Sequence, residues 1–175
     1  MRLLRRPADK PQVHLPAENG SHNTAAQDLL VIGAHGGAGT STIAALMRPA
    51  WDMGSLGHRL GHGRPPLQTK GRPLVVVTRN TVAAARHATN AVTALTDQAI
   101  AIAALVIVAD GAGPEPRDAT ARYSLLEGRV RGVVRVPFIP GLRLVDDVAH
   151  LDEVPGRVQD ALTTIWELAY SRPGN

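Results

Sequence analysis

A short glycine-rich segment near the start of the chain holds the residues best suited to chemistry. Gly33, Gly36, Gly37 and Gly39 are followed at once by the hydroxyl run Thr40–Thr42. Such a loop can wrap its backbone N–H groups around a phosphate, because glycine reaches positive φ and lets the chain approach a ligand closely. The hydroxyl groups are oxygen ligands of the kind that Mg²⁺ takes beside a phosphate. The segment therefore predicts a phosphate-binding loop.

The elements on either side of this loop must position it. Leu29–Ile32 is a continuous apolar run, typical of a buried parallel strand, and Ser41–Met47 predicts a helix that ends before Pro49. A loop between such a strand and helix lies at the carboxyl edge of a sheet, where α/β proteins bind ligands. The predicted ligand contacts are His35, Gly36, Gly37, Ala38, Gly39, Thr40, Ser41 and Thr42, with Ser41 as the candidate metal ligand.

The rest of the chain alternates between apolar runs and helical patterns. The apolar runs predict strands at Leu74–Thr78, Ala103–Ala109 and Gly132–Val136. Helical patterns occupy Thr81–Leu95, Arg117–Glu127 and the segment from Pro155 onward. This alternation predicts an α/β fold, with a mostly parallel sheet of about four strands flanked by helices.

Two segments lack such a pattern. Residues 1–27 are polar and without periodicity, so we expect a flexible arm ahead of one α/β domain over residues 28–175. Residues 50–72 combine glycine, proline and basic residues, which predicts a long loop. Trp51 is expected to plug the core beneath that loop.

Within the predicted loop, two pairs of side chains have some chemical interest. Arg59 and Arg64 are candidate phosphate contacts, because arginine binds phosphate oxygens in a bidentate manner. His58 and His62 are spaced to share one helix face around a metal ion, but the glycines among them disfavour that helix.

Composition excludes several classes of function. The 175 residues include no cysteine, so disulfides, thiolate zinc sites and cysteine nucleophiles are excluded. Only five residues are aromatic, which disfavours a base-stacking nucleic-acid surface. No apolar run approaches the roughly 20 residues that a membrane helix needs, and the N-terminus lacks a secretory apolar region. We therefore expect a cytoplasmic protein.

Charge is unevenly distributed along the chain. Residues 48–87 carry seven Lys and Arg against a single acid, Asp52, whereas residues 144–175 carry six acids against two Arg. The basic segment 48–87 is a candidate nucleic-acid contact, and the acidic last helix is a candidate surface for a protein partner or a homodimer.

The loop resembles the P-loop of the ParA/MinD-like ATPases, which reads Lys-Gly-Gly-x-Gly-Lys-[Ser/Thr]. Here the corresponding run is His35-Gly-Gly-Ala-Gly-Thr-Ser41, so the Gly-Gly-x-Gly core and the Mg²⁺ hydroxyl match while both lysines are replaced. The resemblance covers residues 29 to about 145. It implies ATP and Mg²⁺ as ligands and places Asp110, at the end of a strand, in the base-reading loop.

The chain is also similar to a group of small actinobacterial proteins with an Ala-His-Gly-Gly-Ala-Gly loop, and that likeness implies no activity. The missing lysines and switch carboxylates favour a degenerate P-loop protein that binds a nucleotide or phosphate, with a regulatory or positioning role and little or no hydrolysis. Such a role includes maintenance of plasmids or other mobile elements and complex assembly. The alternatives are a nucleotide-free scaffold that docks a protein and a small basic DNA-binding accessory protein.

Overall fold

The apolar runs of the sequence form the strands of a parallel sheet. In the computed structural model, which describes residues 28–58, 66–151 and 153–170, the strands are β1 (Leu29–Gly33), β2 (Ala50–Ser55), β3 (Leu74–Arg79), β4 (Ala104–Val108) and β5 (Val133–Val136). Their order is β2-β1-β3-β4-β5, and every pairing is parallel. The predicted α/β fold is therefore confirmed. Since one more strand is present than predicted, the estimate of four was too low.

Helices cover both faces of the sheet. They are α1 (Thr40–Leu46), α2 (Val82–Asp97), α3 (Arg117–Ser124) and α4 (Gly156–Tyr170). The buried side chains of α1 and α4 pack on one face, and those of α2 and α3 pack on the other. The central strands are buried on both faces and therefore read as continuous Val, Leu and Ile runs in the sequence. The predicted helix over Arg117–Glu127 stops earlier, at Ser124, and a 3-10 turn at Glu127–Arg129 follows.

β2 corrects the prediction of a loop over residues 50–72. This strand, Ala50–Ser55, lies at the edge of the sheet and, among the described residues, pairs only with β1. Its pairing with β1 shifts register beyond Asp52, and Gly54 takes a positive φ of 69°. Because an edge strand has a single neighbour, half of its residues remain exposed, and the apolar run that marks the other strands is absent.

Trp51 is not the core plug that the sequence predicted. Its side chain is 54% exposed because it projects from the edge strand. The indole Nε1 donates a hydrogen bond to Asp28 Oδ2 at 2.6 Å, and the Arg72 guanidinium lies 5.5 Å from the ring centroid.

The strand order creates a crevice at the carboxyl edge of the sheet. β2 lies on one side of β1, and β3 lies on the other side. The connection that follows β1 therefore runs toward β2, whereas the connection that follows β3 runs in the opposite direction, toward β4. Ligands of doubly wound sheets bind at such a reversal, beyond the carboxyl ends of the strands. The glycine-rich loop follows β1 and therefore lies there. No helix in the described part of the chain is long and apolar enough to cross a membrane.

Several predictions fall on residues outside the described ranges. The expected arm over residues 1–27, the candidate phosphate contacts Arg59 and Arg64, and His62 of the candidate metal pair all lie there.

Candidate functional site

The glycine-rich loop joins the end of β1 to the start of α1. Gly37 and Gly39 have φ values of 75° and 95°, the left-handed conformation that favours glycine. Gly39 is the N-cap of α1, and no side chain caps the helix there. Gly36 and Gly37 are exposed, whereas Ala38 of the same loop is buried and packs into the core. The predicted loop conformation therefore depends on the two glycines nearest the helix.

Thr40, at the position of the phosphate-binding lysine in the resemblance, faces the interior. It is only 8% exposed, and its Oγ1 lies so close to Gly33 that a Cβ added to Gly33 would overlap it. The Thr40 side chain therefore packs beneath the loop. A ligand in the loop would meet its backbone rather than its hydroxyl.

Ser41 is paired with a carboxylate that the sequence alone did not assign. Its hydroxyl donates to Asp52 Oδ2 at 2.5 Å, and Asp52 Oδ1 accepts the Gly54 backbone N–H at 2.8 Å. Asp52 reaches Ser41 because β2 lies beside β1 under α1. A hydroxyl next to a carboxylate is a suitable oxygen donor set for Mg²⁺ beside a phosphate.

His35, which stands at the first lysine position of the resemblance, turns toward α2. Its ring centroid is 5.6 Å from that of His87, and its Nδ1 is 2.8 Å from the Gly36 carbonyl oxygen. Its Nε2 is buried and has no hydrogen-bond partner among the described residues. The His35 ring therefore lies behind the loop, on the α2 side.

Arg79, which sequence reasoning did not single out as a site residue, contacts the loop directly. It ends β3, and its Nε donates to the Gly37 carbonyl at 3.1 Å. Its Nη1 donates to Asp110 Oδ1 at 3.0 Å. The backbone carbonyl of Arg79 accepts a hydrogen bond from the hydroxyl of Tyr123, a fully buried residue of α3. The available sequence signal was a basic residue at the carboxyl end of a buried strand.

Asp110 lies where the sequence predicted a ligand contact, at the carboxyl edge just beyond β4. Its backbone N–H donates to Asn80 Oδ1 at 2.8 Å, and the Asn80 backbone N–H donates in turn to the Val108 carbonyl. The ends of β1, β3 and β4 thus bring Gly37, Arg79 and Asp110 together.

A cavity of about 390 Å³ opens beside this cluster, between α1 and the segment that follows β5. Its size is within the range of small-molecule pockets, about 300–1,000 Å³. Its apolar walls are formed by Ile43, Leu46, Val108, Val136, Ile139 and Leu142. Gly39, Arg79 and Asp110 line it at the loop, and Arg143 lines it with its guanidinium 4.7 Å from the Phe138 ring centroid. Thr42 is also a lining residue, as the sequence predicted for a ligand contact.

The basic segment 48–87 does not form one patch among its described residues. Arg48 and Arg72 lie near the amino ends of β1 and β3, because the Pro49 and Pro73 carbonyls accept hydrogen bonds from the first residues of β1. Arg79 lies at the opposite end of β3, which at about 3.3 Å per residue is some 15–20 Å away. Nucleic-acid binding through this segment stays a prediction.

Among the described residues, no group of three or more His, Cys, Asp or Glu side chains is arranged to hold a metal ion. Comparison of the chain with protein-family models, curated proteins and solved structures finds no match.

Proposed function

We propose that this protein binds a nucleotide or another phosphate-bearing ligand at the carboxyl edge of its sheet. One observation carries the proposal. The glycine-rich loop, the Arg79 guanidinium and an apolar cavity of about 390 Å³ are contiguous, because Gly39 of the loop lines the cavity and Arg79, which also lines it, donates a hydrogen bond to Gly37. This arrangement suits a ligand with an anionic end and an apolar ring.

The charges around the cavity support an anionic ligand. Arg79 and Arg143 contribute two positive charges to the lining, and Asp110 contributes one negative charge. The Arg143 guanidinium lies 4.7 Å from the Phe138 ring centroid, and both the guanidinium and the aromatic ring belong to residues that line the cavity. A planar ring can stack on either surface.

The proposal includes Mg²⁺ at the start of α1, next to the loop and outside the lining of the cavity. The Ser41 hydroxyl and the Asp52 carboxylate are hard oxygen donors, and Mg²⁺ in nucleotide sites is held by one or two such groups together with the phosphates. These two residues would hold the ion, which would neutralise part of the phosphate charge.

The proposed role is regulatory or positional, with little hydrolysis. The buried Thr40 hydroxyl supplies no positive charge to a transferring phosphoryl group, and charge stabilisation there is the main requirement of phosphoryl transfer. Binding would instead order the loop and the cavity walls, a change that a partner can recognise.

Thermal unfolding with Mg-ATP, Mg-GTP and Mg-ADP tests the proposal, because a ligand that binds the folded state raises its stability. We expect at least one of these nucleotides to raise the melting temperature. The absence of any shift at millimolar concentrations would refute nucleotide binding and favour the nucleotide-free scaffold.

A matched pair of glycine variants tests whether the loop is the site. At both Gly36 and Gly37 an added Cβ would meet no atom within 4 Å, but only Gly37 has a positive φ. Gly37→Ala should therefore distort the loop and abolish the shift, while Gly36→Ala should preserve it. A shift that survives Gly37→Ala would place the ligand elsewhere.

A further inference from the structure

The guanidinium of Arg79 is shared between the loop and a carboxylate. Nε is bound to the Gly37 carbonyl and Nη1 to Asp110. Within the described ranges, Nη2 makes no hydrogen bond or ion pair, and the side chain, which is 32% exposed, lines the cavity. The guanidinium is therefore anchored on one side and open to an anion on the other.

The side chains at the two lysine positions of the resemblance, His35 and Thr40, are directed elsewhere. Thr40 replaces the lysine of the resemblance with a buried neutral side chain. His35 packs against His87 on the α2 side of the loop. Among the described residues, Arg79 is the cation that is hydrogen-bonded to the loop.

Asp110 is arranged to be displaced. Its backbone is fixed by the bond from its N–H to Asn80, but its side chain is 60% exposed and is bonded to Arg79 alone among the described residues. A carboxylate in that place repels an incoming phosphate as long as it stays on Arg79. Rotation of the side chain into solvent would release Nη1 without movement of the strand end.

We propose that Arg79 binds the anionic end of the ligand and that Asp110 competes with it as an internal anion, which the ligand displaces. This inference rests on the proposed function and specifies its ligand class. A terminal phosphate monoester carries about two charges and three oxygens, so it can replace the carboxylate in a bidentate contact. A phosphodiester carries one charge and replaces the carboxylate with little gain. The site therefore selects terminal phosphates.

Calorimetric titration with inorganic pyrophosphate at constant ionic strength tests both roles. Arg79→Gln should weaken binding by tenfold or more, since it removes charge-assisted hydrogen bonds. Asp110→Asn should tighten binding about two- to fivefold, the range expected for release of an exposed ion pair. Arg86→Gln, which removes an exposed cation of α2, should change binding less than twofold. AMP should bind at least tenfold more tightly than cyclic AMP.

Two results would overturn the inference. Weaker pyrophosphate binding by Asp110→Asn would show that Asp110 contacts the ligand and does not compete with it. Unchanged pyrophosphate binding by Arg79→Gln would show that Arg79 does not contact the ligand. Arg79→Lys keeps the charge if the glutamine variant fails to fold, and it should bind between wild type and Arg79→Gln. Wild-type protein that binds neither pyrophosphate nor any nucleotide would refute the proposed function and this inference together. If Gly37→Ala abolished nucleotide binding while the Arg79 and Asp110 variants bound nucleotide as tightly as wild type, this inference would be refuted and the proposed function would stand.

Discussion

Gly33→Ala should destabilise the protein through steric overlap at the base of the loop, most severely with Thr40. An added Cβ would overlap Thr40 Oγ1 and would lie 3.0 Å from the His35 carbonyl oxygen and 3.3 Å from Ala38 Cβ. The φ of Gly33 is outside the left-handed region, so the cost is steric rather than conformational. Overpacking of this kind costs about 1–3 kcal/mol. At this chain length that corresponds to a fall in melting temperature of about 2–4 °C per kcal/mol.

A double-mutant cycle with Thr40→Ala isolates that contact. Thr40→Ala removes the overlapped oxygen, so Gly33→Ala should cost at least about 0.5 kcal/mol less in this background than in wild type. The free energies of unfolding would come from urea titration followed by circular dichroism. Equal costs in the two backgrounds, or a cost in wild type below about 0.5 kcal/mol, would refute the packing of Thr40 against the loop.

Three further predictions concern the surroundings of the site. Asp52→Asn should abolish the contribution of Mg²⁺ to nucleotide binding but leave nucleotide binding in excess chelator unchanged. Equal losses of affinity with Mg²⁺ and with chelator would contradict the role of the Ser41–Asp52 pair in holding the ion. Thr81→Ala should lower the free energy of unfolding by about 1 kcal/mol, because the Thr81 hydroxyl caps α2, whereas the exposed helical Thr163→Ala should change it by less than about 0.5 kcal/mol. Tyr123→Phe should cost about 1–2 kcal/mol near pH 8, since it leaves the Arg79 carbonyl without its donor. Burial raises the pKa of Tyr123 above its ordinary value of 10.0, so the hydroxyl stabilises the fold below that pH and this contribution is lost as pH rises through the raised pKa. The difference between wild type and Tyr123→Phe should therefore narrow only in strongly alkaline solution, and a difference that widens there would contradict the assignment.

The central strands and the loop could be predicted because their signals are local. Leu74–Val77 and the run ending at Val108 are apolar throughout, since both of their faces are buried. The four glycines of the loop predicted a chain that reaches positive φ, and two of them, Gly37 and Gly39, do so.

β2 could not be predicted because its sequence, Ala-Trp-Asp-Met-Gly-Ser, has neither an apolar run nor a regular alternation of apolar and polar residues. Trp51, Asp52 and Gly54 are exposed, and only the neighbouring β1 gives them an extended conformation. For the same reason the sequence alone did not indicate a role for the carboxylate of Asp52 in β2.

The role of Arg79 depends on long-range geometry. Its contact with Gly37 spans 42 positions of the chain and requires β3 to lie directly beside β1, a strand order that local patterns do not determine. The inward orientation of Thr40 is a local feature, since its Oγ1 lies against Gly33 seven positions earlier, but the residue types alone do not indicate it.

The irregular pairing of β2 has a consequence for the behaviour of the protein at high concentration. In the described part of the chain, β2 ends the sheet, and an exposed row of backbone groups at such an edge is a template for the strands of other molecules. The shift in register beyond Asp52 and the left-handed Gly54 interrupt that row after three residues, and Asp52 adds a charge to it. A strand of another molecule could therefore form hydrogen bonds with only a short stretch of the β2 backbone. The carboxylate that faces Ser41 also protects the sheet from aggregation through this edge.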